Sequence, residues 1–208
     1  PKEKNRMVVL KRFGLTAPDD APLFCVVTRL TTQKGVDLLL EALPTLVNRG
    51  ARLAVLGSGD REIEAAYIAA AEHYKGQVGV IIGYDEPLSH LMQGGSDAIL
   101  IPSRFEPCGL TQLYGLRYGT IPVVARTGGL ADTVIDANEA AIIAGCSTGI
   151  QFAPVTAAAL AHAINRTCDL FKDRKTWAGM MRRAMRHPVG WEMSARTYHD
   201  IYAALGEV

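Results

Sequence analysis

The sequence predicts an α/β domain built on a doubly wound parallel sheet. Three observations carry that expectation. Short apolar runs and segments with helical spacing alternate about six times along the chain, which is the pattern of repeated strand–helix–strand units. The apolar runs are nearly continuous rather than alternating, as strands covered on both faces must be. Each run ends in a loop of glycine, charge or hydroxyl residues, and in open α/β sheets ligands bind beyond the carboxyl ends of the strands.

The elements follow in order. Residues 1–22 read as a polar lead-in, P-K-E-K-N-R-M, ahead of a short helical stretch over Val8 to Phe13. Leu23 to Thr28, L-F-C-V-V-T, is the first predicted strand. After the loop R-L-T-T-Q-K-G, apolar residues at Val36, Leu39, Leu40, Leu43 and Val47 predict a helix over Gly35 to Val47. Pro44 is a place for that helix to kink. Ala51 to Leu56 is the second strand, closed by G-S-G-D. Asp60 is a suitable N-cap for a helix over Arg61 to Tyr74. Val78 to Ile82 is the third strand, and a short helix over Pro87 to Gln93 leads to the fourth, Ala98 to Ile101. A helix begins near Gly109, with Leu110, Leu113 and Leu116 at helical spacing. Ile121 to Ala125 is the fifth strand, and R-T-G-G-L-A-D opens a short helix. Asn138 to Ser147 has no clear period, and Gly149 to Phe152 is a short sixth strand. Three helices close the chain: Thr156 to Phe171, Arg174 to Met185 and Ser194 to Leu205, with Pro188 and Gly190 breaking the last two apart. The organisation expected is a lead-in over 1–22, a Rossmann-like domain over 23–188 and a terminal helix over 189–208.

Composition narrows the function. With 208 residues the chain can bury a sizeable core. A net charge of +1 argues against a nucleic-acid partner. The apolar runs are too short to cross a membrane, and no signal peptide is visible. The four cysteines, Cys25, Cys108, Cys146 and Cys168, lack metal-type spacing, which fits a reduced, cytoplasmic setting. Cys25 falls in the first predicted strand and reads as a small apolar residue. The chain opens on Pro1 rather than Met, which reads as a fragment or a trimmed chain.

The chemistry collects in the loops after the strands. Arg29 and Lys34 share the first loop. Two cations at the mouth of a parallel sheet suit an anion such as diphosphate, though on spacing alone a solvated basic loop is the preferred reading. Gly57 and Gly59 belong to G-S-G-D, where Glu62 stands in place of the third glycine of a dinucleotide fingerprint, so a tight turn is the preferred reading. Tyr84 follows the third strand as an aromatic at a pocket mouth. P-S-R-F-E-P-C-G-L-T-Q-L-Y, from Pro102 to Tyr114, sets one carboxylate, Glu106, between a strand end and a helix start. The free N–H groups of Leu110 and Thr111 at that helix start favour phosphate. The loop Arg126 to Leu130 reads either as a turn needing glycine or as a ligand contact.

Two stretches, T-R-L-T-T-Q-K-G and S-R-F-E-P-C-G-L-T-Q-L-Y, resemble the signatures of bacterial glycogen synthases and plant starch synthases. These are retaining glucosyltransferases built from two Rossmann-like domains, the GT-B type. The resemblance covers roughly Leu23 to Tyr202 and only the C-terminal half of such enzymes. It implies ADP-glucose as donor, an α-1,4-glucan as acceptor, a preceding N-terminal domain as partner, and no cofactor or metal. It implies Arg29, Lys34 and Glu106 as catalytic residues, with the two cations on the diphosphate and Glu106 on the sugar hydroxyls. It further implies nucleotide-sugar contacts at Gly57, Gly59, Tyr84, Cys108, Gly109, Leu110, Thr111 and Tyr114. Many members of the wider family carry a second Glu where Tyr114 stands, so a ribose-binding carboxylate does not carry over. Two alternatives remain at this point: a UDP-sugar-dependent enzyme of the same architecture, and a non-catalytic nucleotide-binding module.

Overall fold

The computed structural model describes residues 2–16, 20 and 22–206. Six strands form one parallel sheet: β1 Leu23–Val27, β2 Arg52–Gly57, β3 Val78–Ile82, β4 Ala98–Ile101, β5 Ile121–Ala125 and β6 Ile150–Phe152. Their spatial order is β3-β2-β1-β4-β5-β6. The chain winds outward from β1 through β3, returns to the centre, and winds outward again from β4 through β6. The direction of winding reverses between β1 and β4, so a crevice opens beyond their carboxyl ends.

Ten α-helices are described: α1 Lys2–Arg12, α2 Val36–Asn48, α3 Arg61–His73, α4 Glu86–Gly95, α5 Thr111–Tyr118, α6 Gly128–Thr133, α7 Glu139–Ile143, α8 Ala157–Lys172, α9 Arg174–Arg186 and α10 Glu192–Gly206. They cover both faces of the sheet. Successive strand residues point to opposite faces, and β1 shows the result. Phe24 and Val26 pack with α2, α3 and α8, while Leu23 and Cys25 pack with α1, α4 and α6. Both faces of β1, β2 and β4 are therefore apolar, which is why their sequences read as continuous runs.

Strands β3, β4 and β5 have the predicted bounds, and the other three shift by a residue at one or both ends. Helix α2 runs unbroken through Pro44. The segment 138–147, without a period in the sequence, contains the short helix α7. Its cap is a side-chain oxygen on a backbone N–H: Asn138 accepts from Ala141 at 2.9 Å. Asp60 is the N-cap residue of α3, but its side chain makes no cap bond. Glu64 reaches back instead and accepts the N–H of Gly59 at 2.8 Å.

The largest departure is at the start. The polar opening is helical from Lys2, and α1 packs against α4. Its polar residues hold it by side-chain contacts that one stretch of sequence cannot display. Lys2 donates to Thr120 Oγ1 at 2.9 Å, and Arg6 pairs with Asp97. The last helix, α10, buries none of its residues. Trp191, Met193, Tyr202 and Leu205 are all exposed on or beside it.

Candidate functional site

The crevice between β1 and β4 brings the main sequence-predicted residues together. The loop after β1 leaves the sheet at Thr28 and turns through a short 3-10 segment, Thr32–Lys34. Gly35 then adopts φ +67° and starts α2. A Cβ at Gly35 would stand 1.8 Å from the carbonyl oxygen of Pro102, so only glycine lets the β1 loop lie against the β4 loop. That contact aims Lys34 across the crevice. Its Nζ donates to Glu106 Oε2 at 2.6 Å, and the two side chains are 17% and 13% exposed. Ser103, buried at the end of β4, donates to the same carboxylate oxygen at 3.1 Å.

The loop that carries Glu106 is braced from behind. The N–H of Gly129 donates to the carbonyls of Glu106 and Pro107 at 3.1 and 3.2 Å. A Cβ at Gly128 or Gly129 would fall 2.3 Å from the carbonyl oxygen of Glu106 or Cys108 respectively. The glycines of R-T-G-G-L are thus required by backbone packing against the site loop. Gln112 is fully buried, and its amide nitrogen donates to the carbonyls of Cys108 and Gly109, each at 3.0 Å, and to Thr133 Oγ1 at 3.2 Å.

Helix α5 starts at Thr111, two residues later than the sequence suggests. Gly109 takes φ +74°, which is not helical, and Leu110 is the N-cap residue. The first intrahelical bond runs from the Tyr114 N–H to the Leu110 carbonyl at 2.9 Å. The N–H groups of Thr111, Gln112 and Leu113 therefore form the first turn, ahead of any intrahelical partner, at the positive end of the helix.

Two adjoining cavities occupy the crevice and share Val27 and Thr28 in their walls. The first, about 330 Å³, is lined by Lys34, Ser103, Glu106, Cys108, Gly109, Leu110, Thr111 and Gln112 among others. The second, about 240 Å³, is lined by Arg29, Gly57, Ser58, Gly83, Tyr84 and Ser89. One is walled by a cation, a carboxylate and a helix start. The other is walled by glycines, hydroxyls and the largely exposed Tyr84. Gly59 lines neither cavity and instead bridges to Leu30 beneath the loop. Tyr114 is exposed on α5, with its ring 6.4 Å from that of His90.

A larger cavity of about 740 Å³ lies elsewhere, beside α1 and the start of α9. Three of the cations in its walls already have partners: Arg6 on Asp97, Lys2 on Thr120 and Arg174 on Asp20. Gly95 and Asp97, just ahead of β4, place it at the amino end of that strand. Ligands of such sheets bind at the carboxyl ends, so the crevice at the reversal point is the stronger site. Among the described residues no group of three or more His, Cys, Asp or Glu side chains stands close enough to hold a metal ion. Among them, too, no helix is long and apolar enough to cross a membrane.

Spacing alone does not mark the supporting side chains Ser103, Gln112 and Arg104, the last of which pairs with Asp37. Ser103 and Arg104 lie inside the quoted motif, but the partners of Arg104 are set by the approach of two loops far apart in sequence. Gln112 carries a weak signal, a polar side chain in a helix turn that faces the sheet.

Fold and crevice define a doubly wound domain with a candidate ligand site at its reversal point, whose lining suits an anion bearing hydroxyls. The comparisons agree with that class. Residues 10–182 match the family model for glycosyl transferases group 1, and the chain belongs to that family. It is 75% identical over 204 residues to a glycogen synthase of Roseobacter denitrificans, covering 98% of this chain and 43% of the relative. It is 58% identical over 201 residues to a glycogen synthase of Mesorhizobium japonicum, covering 97% and 42%. The chain thus spans less than half the length of these relatives. Its structure is similar to the catalytic domain of starch synthase IV from Arabidopsis thaliana bound to ADP and acarbose, with a TM-score of 0.89 and 33% identity over 98% of this chain and 42% of that one. Sucrose-phosphate synthase from Thermosynechococcus elongatus shares the fold at a TM-score of 0.66 and 24% identity, over 95% and 51%.

Proposed function

We propose that this chain is the donor-binding half of a retaining glycogen synthase, and that it binds ADP-glucose for transfer to the non-reducing end of an α-1,4-glucan. The observation that carries the reading is the Lys34–Glu106 pair, held at 2.6 Å in a crevice that also has a helix start in its wall. A cation serves the departing diphosphate, and a carboxylate serves the hydroxyls of the sugar that leaves it. Placed side by side, the two suit a bond breaking between sugar and phosphate. The relatives named glycogen synthase and the ADP-bound starch synthase support the choice of donor.

In this reading the diphosphate meets Arg29, Lys34 and the first N–H groups of α5. Lys34, held by Glu106, and the α5 backbone are in place before the reaction, so they stabilise negative charge as it develops on the leaving group with little reorganisation. Glu106 exchanges its bond with Lys34 for sugar hydroxyls. The base lies in the second cavity against Tyr84. The acceptor belongs to a separate domain across the cleft.

Calorimetric titration of this chain with ADP, UDP and NAD tests the donor. ADP is expected to bind at least about tenfold more tightly than the other two, a difference of about 1.4 kcal/mol. Preference for UDP would move the assignment to a UDP-sugar enzyme of the same architecture. In the complete enzyme, Lys34→Ala and Arg29→Ala are each expected to cut turnover by about 10²–10³, as the loss of one preorganised charge contact does. A fall of less than tenfold in both would remove the diphosphate assignment.

A further inference from the structure

Arg104 stands two residues before Glu106 and grips the chain on both sides of Lys34. One guanidinium nitrogen donates to Asp37 Oδ1 at 2.7 Å and the other to Asp37 Oδ2 at 2.7 Å. The first of these nitrogens also donates to the carbonyl of Thr32 at 2.6 Å. The backbone N–H of Arg104 adds a bond to the carbonyl of Gln33 at 2.9 Å. Thr32 opens the 3-10 segment that ends at Lys34, and Asp37 lies in the first turn of α2. Neither Arg104 nor Asp37 lines either cavity of the crevice.

We propose that Arg104 and Asp37 form a positioning clamp that holds the Lys34 loop in register with the Glu106 loop for transfer, without touching the donor. The inference rests on the glycogen synthase reading of the same crevice. The two loops follow different strands, and Arg104 is 72 residues from Thr32 in sequence. Something must fix their relative height across the crevice. Gly35 against Pro102 lets them approach, but a contact between backbone surfaces permits sliding. A planar fork on both oxygens of a carboxylate does not, because shifting either loop breaks two parallel bonds at once. The added bond to Thr32 pins the other side of Lys34. An exposed ion pair of ordinary geometry would contribute little. This one is bidentate, carries a backbone bond as well, and holds the Asp37 carboxyl below the usual carboxylate range through its hydrogen bonds from Arg104. Lysine cannot replace the arginine, since a single ammonium does not span both oxygens and the carbonyl.

The test is kinetic and uses the complete enzyme. Arg104→Ala is expected to lower kcat by about tenfold or more, since small misplacements of catalytic groups have effects up to about 10²-fold. KM for ADP-glucose and ADP affinity should stay within about threefold, because Arg29, the α5 start and the base cavity are untouched. Arg104→Lys should fail to restore kcat. Added to Lys34→Ala, Arg104→Ala should have almost no further effect, within about twofold, because residues acting as a unit are not additive. Multiplying losses in that double variant would mean a general structural role and would overturn the clamp. So would a kcat for Arg104→Ala within threefold of the parent while Lys34→Ala abolishes turnover, an outcome that leaves the functional reading intact. If Lys34→Ala itself keeps most of the activity, the functional reading fails and the clamp with it. Should Arg104→Ala not fold, Asp37→Asn keeps the shape, removes the charge and carries the same comparison.

Discussion

Gly35 shows at the scale of one residue how the site is made and how much of it is legible. The sequence marks Q-K-G as a loop, and the resemblance marks Lys34. Neither reveals that the next residue must lack a side chain. That requirement comes from φ +67° and from the Pro102 carbonyl 1.8 Å from the absent Cβ, a neighbour distant in sequence. Gly35→Ala is expected to lose more than about 2 kcal/mol of stability, since strain of this kind amounts to about 1–3 kcal/mol before the clash is counted. Denaturant unfolding measures it, and a loss under about 0.5 kcal/mol, the range of an ordinary surface substitution, would show that the loops can part freely. The cysteines make a second test at this scale. Cys25 is the small apolar residue that its strand implies, fully buried with its thiol pushed up to about 12 by desolvation. Burial raises Cys168 to about 11. Cys108 and Cys146 are exposed. A thiol reagent should therefore modify two cysteines in the native chain and four after unfolding. Three or four fast thiols in the native state would contradict the packing. The sign for pH follows: a raised thiol stays protonated when folded, so the stability it contributes is intact below its unfolded value of 9.0 and is lost as pH rises toward 12.

At the scale of elements, the strands are legible because burial on both faces leaves only apolar residues, and that pattern is local. Helix starts are less so. The spacing puts the onset of α5 at Gly109, yet Gly109 turns with positive φ and the helix begins at Thr111. What holds that onset is Gln112, whose amide ties the Cys108 and Gly109 carbonyls to α6 through Thr133. Gln112→Met keeps the length of the side chain and takes the hydrogen bonds from part-buried acceptors, so it should lower stability by about 1–3 kcal/mol. It should also weaken ADP binding through the loosened first turn of α5. Unchanged stability and unchanged ADP affinity together would show that the loop holds itself. The opening helix α1 escapes the sequence pattern for a different reason. Its lead-in is polar, and its fixed points, Thr120 and Asp97, lie far along the chain. Burial of Lys2 lowers its pKa, a tension that no local pattern signals.

At the scale of the whole molecule, the proposed function implies a division of labour in transfer. The sheet and the helices on its two faces bury both apolar clusters within this chain. The groups proposed to hold the donor all stand on one edge of that sheet. Among the described α-helices only α10 lacks a buried residue, and the exposed Trp191, Tyr202 and Leu205 contribute nothing to the core. These 208 residues are therefore expected to fold on their own and to bind ADP, yet to transfer no glucose. Folding follows from a core that is complete without α10. Binding follows because the cations, the helix start and the base cavity need no second domain to be in place. Transfer needs more. An acceptor hydroxyl has to be held against the anomeric carbon, and such positioning accounts for about 7–11 kcal/mol of a barrier. The crevice groups line two cavities on one edge of the sheet, and the proposed function gives all of them to the donor. The measurement is incorporation of glucose from ADP-glucose into glycogen by the purified chain, alongside ADP calorimetry on the same sample. Binding without incorporation is the expected pair of results. Elongation at a rate near that of a complete synthase would mean that this one domain positions both substrates, and the proposed division between donor and acceptor halves would be wrong.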